Sequence, residues 1–391
     1  MDYKVELKPY IERAIETRRY LHAHPELSFK EEKTSAFLRE QLSAMDVEFE
    51  DKYEGYAIVG YVNGTQDGPT IMLRADFDAL PVKEDNDLPY KSTCDGVMHA
   101  CGHDAHAATL LEVVRFFCDH KDLVKGRIKF IFQDGEELLP GGAVRLCEQG
   151  VMDNVDESYA YHVASLLPIG QVGLCRGAAT AAVGAYRIAI KGHGGHGGFP
   201  YLSKNPTTCA AAITNAINQL VTTHVDPLKS AVITTAYILA GTDNIPNVIP
   251  GECVMGGNIR SLDNDVRAQL CEDVKRIAEG ICAAYECECD CKILLGYPAT
   301  IIGDAQYDVM AAVCDDMGLV NGNDKPQMGA EDYAYFTLEK PCCYIQIGMN
   351  DESAGPVPIP HHNAKFTIDD VRGLPIAIEF MIRTYLKALE K

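Results

Sequence analysis

The stretch "MHACGHDAHAATLL", Met98 to Leu111, places four potential donor side chains, His99, Cys101, His103 and His106, directly ahead of an apolar helical pattern. Leu110, Leu111, Val114 and Phe117 recur at helical spacing, which predicts a helix from about Asp104 to Phe117 with Asp104 as its N-cap. Strand-like runs lie on both sides. "YAIVGYV" (Tyr56–Val62) and "TIMLRAD" (Thr70–Asp76) precede it; "GRIKFIFQ" (Gly126–Gln133), a short helix from Gly142 to Glu148 and "ESYAYHV" (Glu157–Val163) come after it. Such alternation predicts an α/β layer built on a mostly parallel sheet. The donor-rich segment then falls where a strand-end loop meets a helix N-terminus, a favoured binding position in open α/β sheets.

Beyond "GLCRGAATAAVGA" (Gly173–Ala185) the texture changes. "YRIAIKG" (186–192), a helix "NPTTCAAAITNAINQLV" (205–221), "SAVITTAYILAG" (230–241), "ECVMGGNIRS" (252–261), a helix from about Asp265 to Ala284 and "ECECDCKILLG" (286–296) read as β-α-β-β-α-β, a self-sufficient small unit. From Asp304 onward the first texture returns, closing with "CCYIQIG" (342–348) and a long helix in "IDDVRGLPIAIEFMIRTYLKALEK" (368–391). Since 391 residues exceed what one core usually serves, the expected layout is a two-domain one. Residues 181–296 form a domain inserted into a catalytic domain made of 1–180 and 297–391.

A formal charge of -21 argues against nucleic acid or an anionic membrane as partner, because both reward clustered Lys and Arg. No apolar run has the length of a membrane helix, and "MDYKVELKPY" has no basic-then-apolar leader pattern, so a cytoplasmic location is expected. Fifteen scattered cysteines fit a reducing compartment. In "ECECDCKILLG" Cys287, Cys289 and Cys291 alternate with acidic residues, so a strand would turn all three thiols to one buried face.

Cys101 and His103, two apart in a loop, can turn toward one point, and thiolate with imidazole suits a transition ion. The pair alone also admits Cys101 as a nucleophile activated by a histidine. "FIFQDGEELLPGG" (130–142) runs a strand into Glu136 and Glu137, where one carboxylate can bind metal while its neighbour takes a proton from water. His162 ends another strand, and "PVPIPHHNAKF" (356–366) supplies His361 and His362. "LRADFDALP" (73–81) adds Asp76 and Asp78, suited to orienting a ligand or a water. "GHGGHG" (192–197) fits a dinucleotide-binding pattern, but prolines at 200 and 206 delay the next helix, so a flexible contact loop is the better reading.

Taken together, "RADFDALP", "MHACGHDAHAATLL", "FQDGEE", "YHV", "GHGGHGG", "NVIP", "GGNIRS", "EDYAYF" and "HHNAKF" resemble, in order and spacing, the aminoacylase and carboxypeptidase-G-like metallopeptidases, in particular their N-acyl-amino-acid amidohydrolase branch. The resemblance covers nearly the whole chain. It implies an aminopeptidase-like catalytic domain with two divalent metal ions and an inserted ferredoxin-like lid through which a homodimer forms. Manganese or zinc would be the metal, with cobalt or nickel as further candidates. By motif, Cys101, His103, Glu137, His162 and His362 correspond to the ligands and Glu136 to the general base. Asp78 corresponds to the residue that steadies the metal centre. His196 corresponds to a lid histidine that a partner subunit lends to the oxyanion, and Asn247 and Arg260 to positions that hold a substrate carboxylate.

The activity implied is hydrolysis of the amide bond of a small-molecule N-acyl amino acid, with a dipeptidase or exopeptidase of the same family as the alternative. Asp134 and Gly135 in "FQDGEE", Tyr161 in "YHV" and Tyr201 after the lid proline depart from the usual pattern. On this reading those departures bear on the substrate pocket rather than on the reaction.

Overall fold

A computed structural model describes residues 3–45 and 47–391. The chain divides into two compact units: Met1–Ala179 with Thr300–Lys325 and Asp332–Lys391, and Thr180–Ala299 with Pro326–Glu331.

The larger unit is built on an eight-stranded mixed sheet. In chain order its strands are β1 (Glu48–Glu50), β2 (Ile58–Asn63), β3 (Gln66–Asp76), β4 (Lys125–Gln133), β5 (Glu157–Ala164), β6 (Gln171–Gly173), β7 (Val320–Asn323) and β8 (Cys342–Gly348). The spatial order is β1-β2-β4-β3-β5-β8-β6-β7. Its centre, β4-β3-β5-β8, is parallel throughout. The last seven residues of β3 are all buried, as expected of a strand covered on both faces. Antiparallel pairing is confined to the flanks, where β1 meets β2, β2 meets β4 and β8 meets β6.

Three helices pack on one another beside this sheet: α1 (Lys8–Ala23), α2 (His103–Asp119) and α3 (Asp370–Ala388). Helix α2 is buried along almost its whole length, which suits its largely small and apolar run "AHAATLLEVV", interrupted only by His106, Thr109 and Glu112. It packs against α1, α3 and β3.

The start of α2 differs from the expected N-cap at Asp104. The helix begins one residue earlier, capped by Gly102 with φ 94° and no side-chain bond. Two forces decide this. A Cβ at position 102 would stand 2.2 Å from Val163 Cγ2, so glycine is needed for both the turn and the contact. Asp104 is drawn inward instead, where its carboxylate meets the buried Arg18 guanidinium at 3.0 Å and His22 Nδ1 at 2.8 Å. Arg18 and His22 hold that carboxyl far below the usual carboxylate range against the cost of burial.

The smaller unit has four antiparallel strands, Ala182–Lys191, Ala231–Ala240, Glu252–Ser261 and Glu288–Leu295, in the spatial order second, third, first, fourth. Helices Pro206–His224 and Asn264–Ala284 cover one face, giving the β-α-β-β-α-β order of a ferredoxin-like unit. Both helices have side-chain N-caps: Asn205 accepts the Thr207 N–H, and Asp263 accepts those of Asp265 and Val266. Cys287, Cys289 and Cys291 are half-buried against this core while Glu288 and Asp290 are exposed, as the period-two pattern requires.

Residues 326–331, which the sequence pattern leaves with the outer segments, group with this unit. Ala181 N–H donates to Gly329 O at 2.9 Å, Thr180 bridges Gln327, and Arg260 Nη1 donates to Met328 O at 2.9 Å. The glycine loop at 192–197 opens no helix; Gly195–His196 instead pairs with Val248–Ile249.

Candidate metal centre

Four chain segments converge at the carboxyl ends of the parallel strands. β3 runs into Asp76 and Asp78, β4 into Glu136 and Glu137, β5 carries His162 two residues from the end of its ladder with β8, and the turn into α2 carries Cys101 and His103. A fifth, the loop before Phe366, brings His362, held with φ 63° by its N–H bond to Ala100 O at 2.8 Å.

The donor atoms fall into two groups of three that share one residue. Cys101, His103 and His162 form one and Cys101, Glu137 and His362 the other, each with its atoms within 4.8 Å of one another. His103, Glu136 and Glu137 are gathered equally closely. His361 does not join them. Its Nδ1 donates to Cys101 O at 3.1 Å and its Nε2 accepts the Ser165 N–H, so both ring nitrogens are engaged with backbone.

Most of these donors are oriented by a neighbour. His103 Nδ1 donates to Asp78 Oδ1 at 2.9 Å, so its Nε2 faces the other donors. Asp78 Oδ2 accepts the Glu137 N–H and the Ser28 hydroxyl. His162 Nδ1 donates to Val163 O at 2.7 Å, which turns its Nε2 toward Cys101 Sγ, 3.4 Å away. Glu136 accepts the N–H of Asp332 at 3.3 Å. Asp332 is in turn fixed by Arg74, Gln133 and the Ala143 N–H.

The charge balance favours cations. Burial works against protonating His103, yet Asp76, Asp78 and Glu137 together push its pKa up to about 10. Burial, then Glu137, Glu136 and Asp76, hold the Cys101 thiol well above its ordinary value. Desolvation, then the neighbouring His103, push the half-buried His162 down to about 4, so it stays neutral, as a ligand must. One atom tests whether the residues fit metal ions: His103 Nε2 is buried without a hydrogen-bond partner among the described residues, with carboxylate oxygens of Asp76 and Glu137 3.8 and 4.0 Å away. A divalent ion would satisfy that nitrogen and the Glu137 carboxylate together, whereas Asp76 Oδ2 is already paired with Arg74.

Residues 72–387 match the model of peptidase family M20/M25/M40. The chain belongs to that family. Thermostable carboxypeptidase 1 of Saccharolobus solfataricus is 38% identical over 362 residues, which is 91% of this chain and 90% of that protein. N-acetylcysteine deacetylase of Bacillus subtilis is 32% identical over 384 residues, 98% of both. Among solved structures, a dinuclear metal binding peptidase of the M20 family from Bacillus subtilis superposes with a TM-score of 0.85 at 29% identity, covering 98% of this chain and 99% of that one. As an M20 family member the protein is a metal-dependent hydrolase of amide bonds.

The remaining candidates lie in the smaller unit. His196 is exposed, and its Nδ1 accepts the Gly198 N–H at 2.9 Å, which leaves the proton of the neutral ring on Nε2. Asn247 is exposed, with its backbone O accepting the Gly197 N–H. Arg260 is half-buried, its pKa lowered by burial, and no carboxylate among the described residues pairs with it.

The departures from the family pattern correct an expectation. Asp134 is fully buried, paired with Arg145 and accepting the Tyr56 N–H, and Tyr161 is 4% exposed with its hydroxyl on Ala105 O and Thr109 Oγ1. Alternation along β5 turns Tyr161 away from the face that carries His162, so neither residue lines a pocket. Gly135 at φ 67° has its Cα pressed on the Phe29 ring and its N–H on Glu31. Only Tyr201, 79% exposed, is free to meet a ligand. The sequence pattern assigns nothing to Glu31, Arg74 or Asp332. Arg74 and Asp332 are signalled only as charged residues inside motif-bearing runs, and Glu31, within "KEEK" (30–33), has no signal at all.

Proposed function

We propose that the protein hydrolyses the amide bond of N-acyl amino acids, with Cys101, His103 and His162 holding one divalent ion and Cys101, Glu137 and His362 a second. The observation that carries this reading is the pair of donor groups meeting at Cys101 with Glu136 beside them. Bound divalent ions supply Lewis-acid charge and lower the pKa of water from about 15.7 toward about 7.

Glu136, held by the Asp332 N–H, takes the proton of the attacking water and later delivers it to the leaving nitrogen. Water adds across the C–N bond, giving a carboxylic acid and a free amino acid. His196, with its proton on Nε2, is the donor for the oxyanion, lent by a partner subunit through the 181–296 lid. Asn247 and Arg260 hold the substrate carboxylate; a guanidinium without an acidic partner suits that task. The outer segments 1–180 and 297–391 are the catalytic domain. Manganese or zinc is the native metal, and the homodimer works in the cytoplasm.

Support for the acyl substrate comes from the deacetylase, alike over 98% of both chains; the carboxypeptidase name favours the peptidase alternative. Chelator-treated protein, reconstituted in turn with manganese, zinc, cobalt and nickel, should be assayed on N-acetyl amino acids beside dipeptides. Preferential turnover of the acyl compounds is expected. Dipeptides cleaved faster, or activity surviving exhaustive chelation, would refute it.

A further inference from the structure

His106 lies one helical step past His103 on α2 and shares its face. It is fully buried, stacked on His103 at 5.3 Å between ring centroids and edge-on to His162 at 4.5 Å. With Asp76 and His103 it even forms a further group of donors within 4.8 Å. Composition would make it a ligand; its hydrogen bonds do not. Val163 N–H donates to His106 Nε2 at 2.9 Å, so that nitrogen carries no proton. The proton is therefore on Nδ1, given to Asp76 Oδ1 at 2.6 Å. Asp76 is fixed from its other side by Arg74, Nη1 to Oδ2 at 2.7 Å.

Strand pairing explains why a side chain is needed at Val163. β3 pairs with β5 only as far as Arg74 opposite Ala160, whereas β8 follows β5 to Ala164. Past residue 160 the β3 side of β5 has no ladder, and a buried N–H there must find another acceptor. His106 is that acceptor. The residue it fixes carries both neighbours of the metal centre: Val163 O takes the Nδ1 proton of His162, and Val163 Cγ2 bears on Gly102 between Cys101 and His103.

We propose that His106, held by Asp76, is a positioning residue that locks the Val163 backbone and through it aims His162 Nε2 at its ion. This rests on reading His162 as a ligand. Replacing His106 by Leu leaves the Val163 N–H unpaired. A Gln at the same place can donate an amide N–H to Asp76 and accept from Val163. In Asp76→Asn the amide oxygen must face Arg74, so the amide N–H meets His106 Nδ1 and forces the ring proton onto Nε2, against the Val163 N–H.

The test is titration of metal-free protein with Mn2+ alone and with Zn2+ alone by calorimetry, with ions per chain counted and thermal stability recorded. Wild type should take two ions. His106→Leu and Asp76→Asn should lose about 10–100-fold in affinity for one ion and keep the other, while His106→Gln stays near wild type. Wild-type binding of both ions by His106→Leu and Asp76→Asn overturns the proposal. So does a loss in His106→Gln equal to that in His106→Leu, or an equal loss at both sites that follows stability. Fewer than two ions on wild type overturns the metal reading itself, and the inference with it.

Discussion

Asp78 grips His103 and Glu137 at once, taking the Nδ1 proton of the first and the backbone N–H of the second, each at 2.9 Å. One buried carboxylate thus sets the tautomer of one proposed ligand and the position of another. Asp78→Ala should therefore weaken metal binding by about 10–100-fold, the usual effect of removing a ligand's orienting partner. Chelator competition measures this, and unchanged affinity would refute the role.

Glu31 predicts a pH effect. Burial, then the charges of Asp78 and Asp134, raise its carboxyl from 4.5 to about 8. The folded state thus holds a proton that the unfolded chain releases near 4.5, so the stability this confers is whole below that pH and lost as pH rises through about 8. Glu31→Gln keeps an acceptor for the Gly135 N–H without the ionisation. In chelated protein its melting temperature relative to wild type should be higher at pH 9 than at pH 6. An offset independent of pH would contradict this.

Tyr161 should matter to the fold and not to the substrate. Its hydroxyl binds Ala105 O and Thr109 Oγ1 inside the core. Tyr161→Phe should cost about 1–2 kcal/mol of stability in denaturant unfolding while kcat/KM for N-acyl amino acids holds. A changed substrate preference would place Tyr161 in the pocket after all.

If a partner lends His196, inactive His196→Ala and Glu136→Ala chains should regain activity when mixed and allowed to exchange subunits, because one hybrid site then carries both residues. No recovery, with exchange demonstrated, would place His196 in its own subunit's site or outside catalysis.

The alternation of strands and helices was legible because periodicity records burial, and the β-α-β-β-α-β unit follows its pattern closely. Convergence of the donor residues could be expected because strand ends in a parallel sheet point to one side. What local pattern could not reveal depends on distant partners. Asp104 reads as a cap until Arg18 and His22, more than eighty residues away, draw it into the core. Tyr161 reads as a pocket residue until its hydroxyl is found on α2. His106 reads as a spare donor because the end of the β3–β5 ladder has no mark in sequence.

In the proposed mechanism Glu136 moves the proton while its neighbours hold the metal. Glu136→Gln keeps size and hydrogen-bonding capacity but cannot accept that proton. With metal content measured alongside turnover of an N-acyl amino acid, the variant should bind two ions per chain and lose about 10²–10⁴-fold in kcat. Near-wild-type turnover, or a loss of activity matched by a loss of metal, would contradict it.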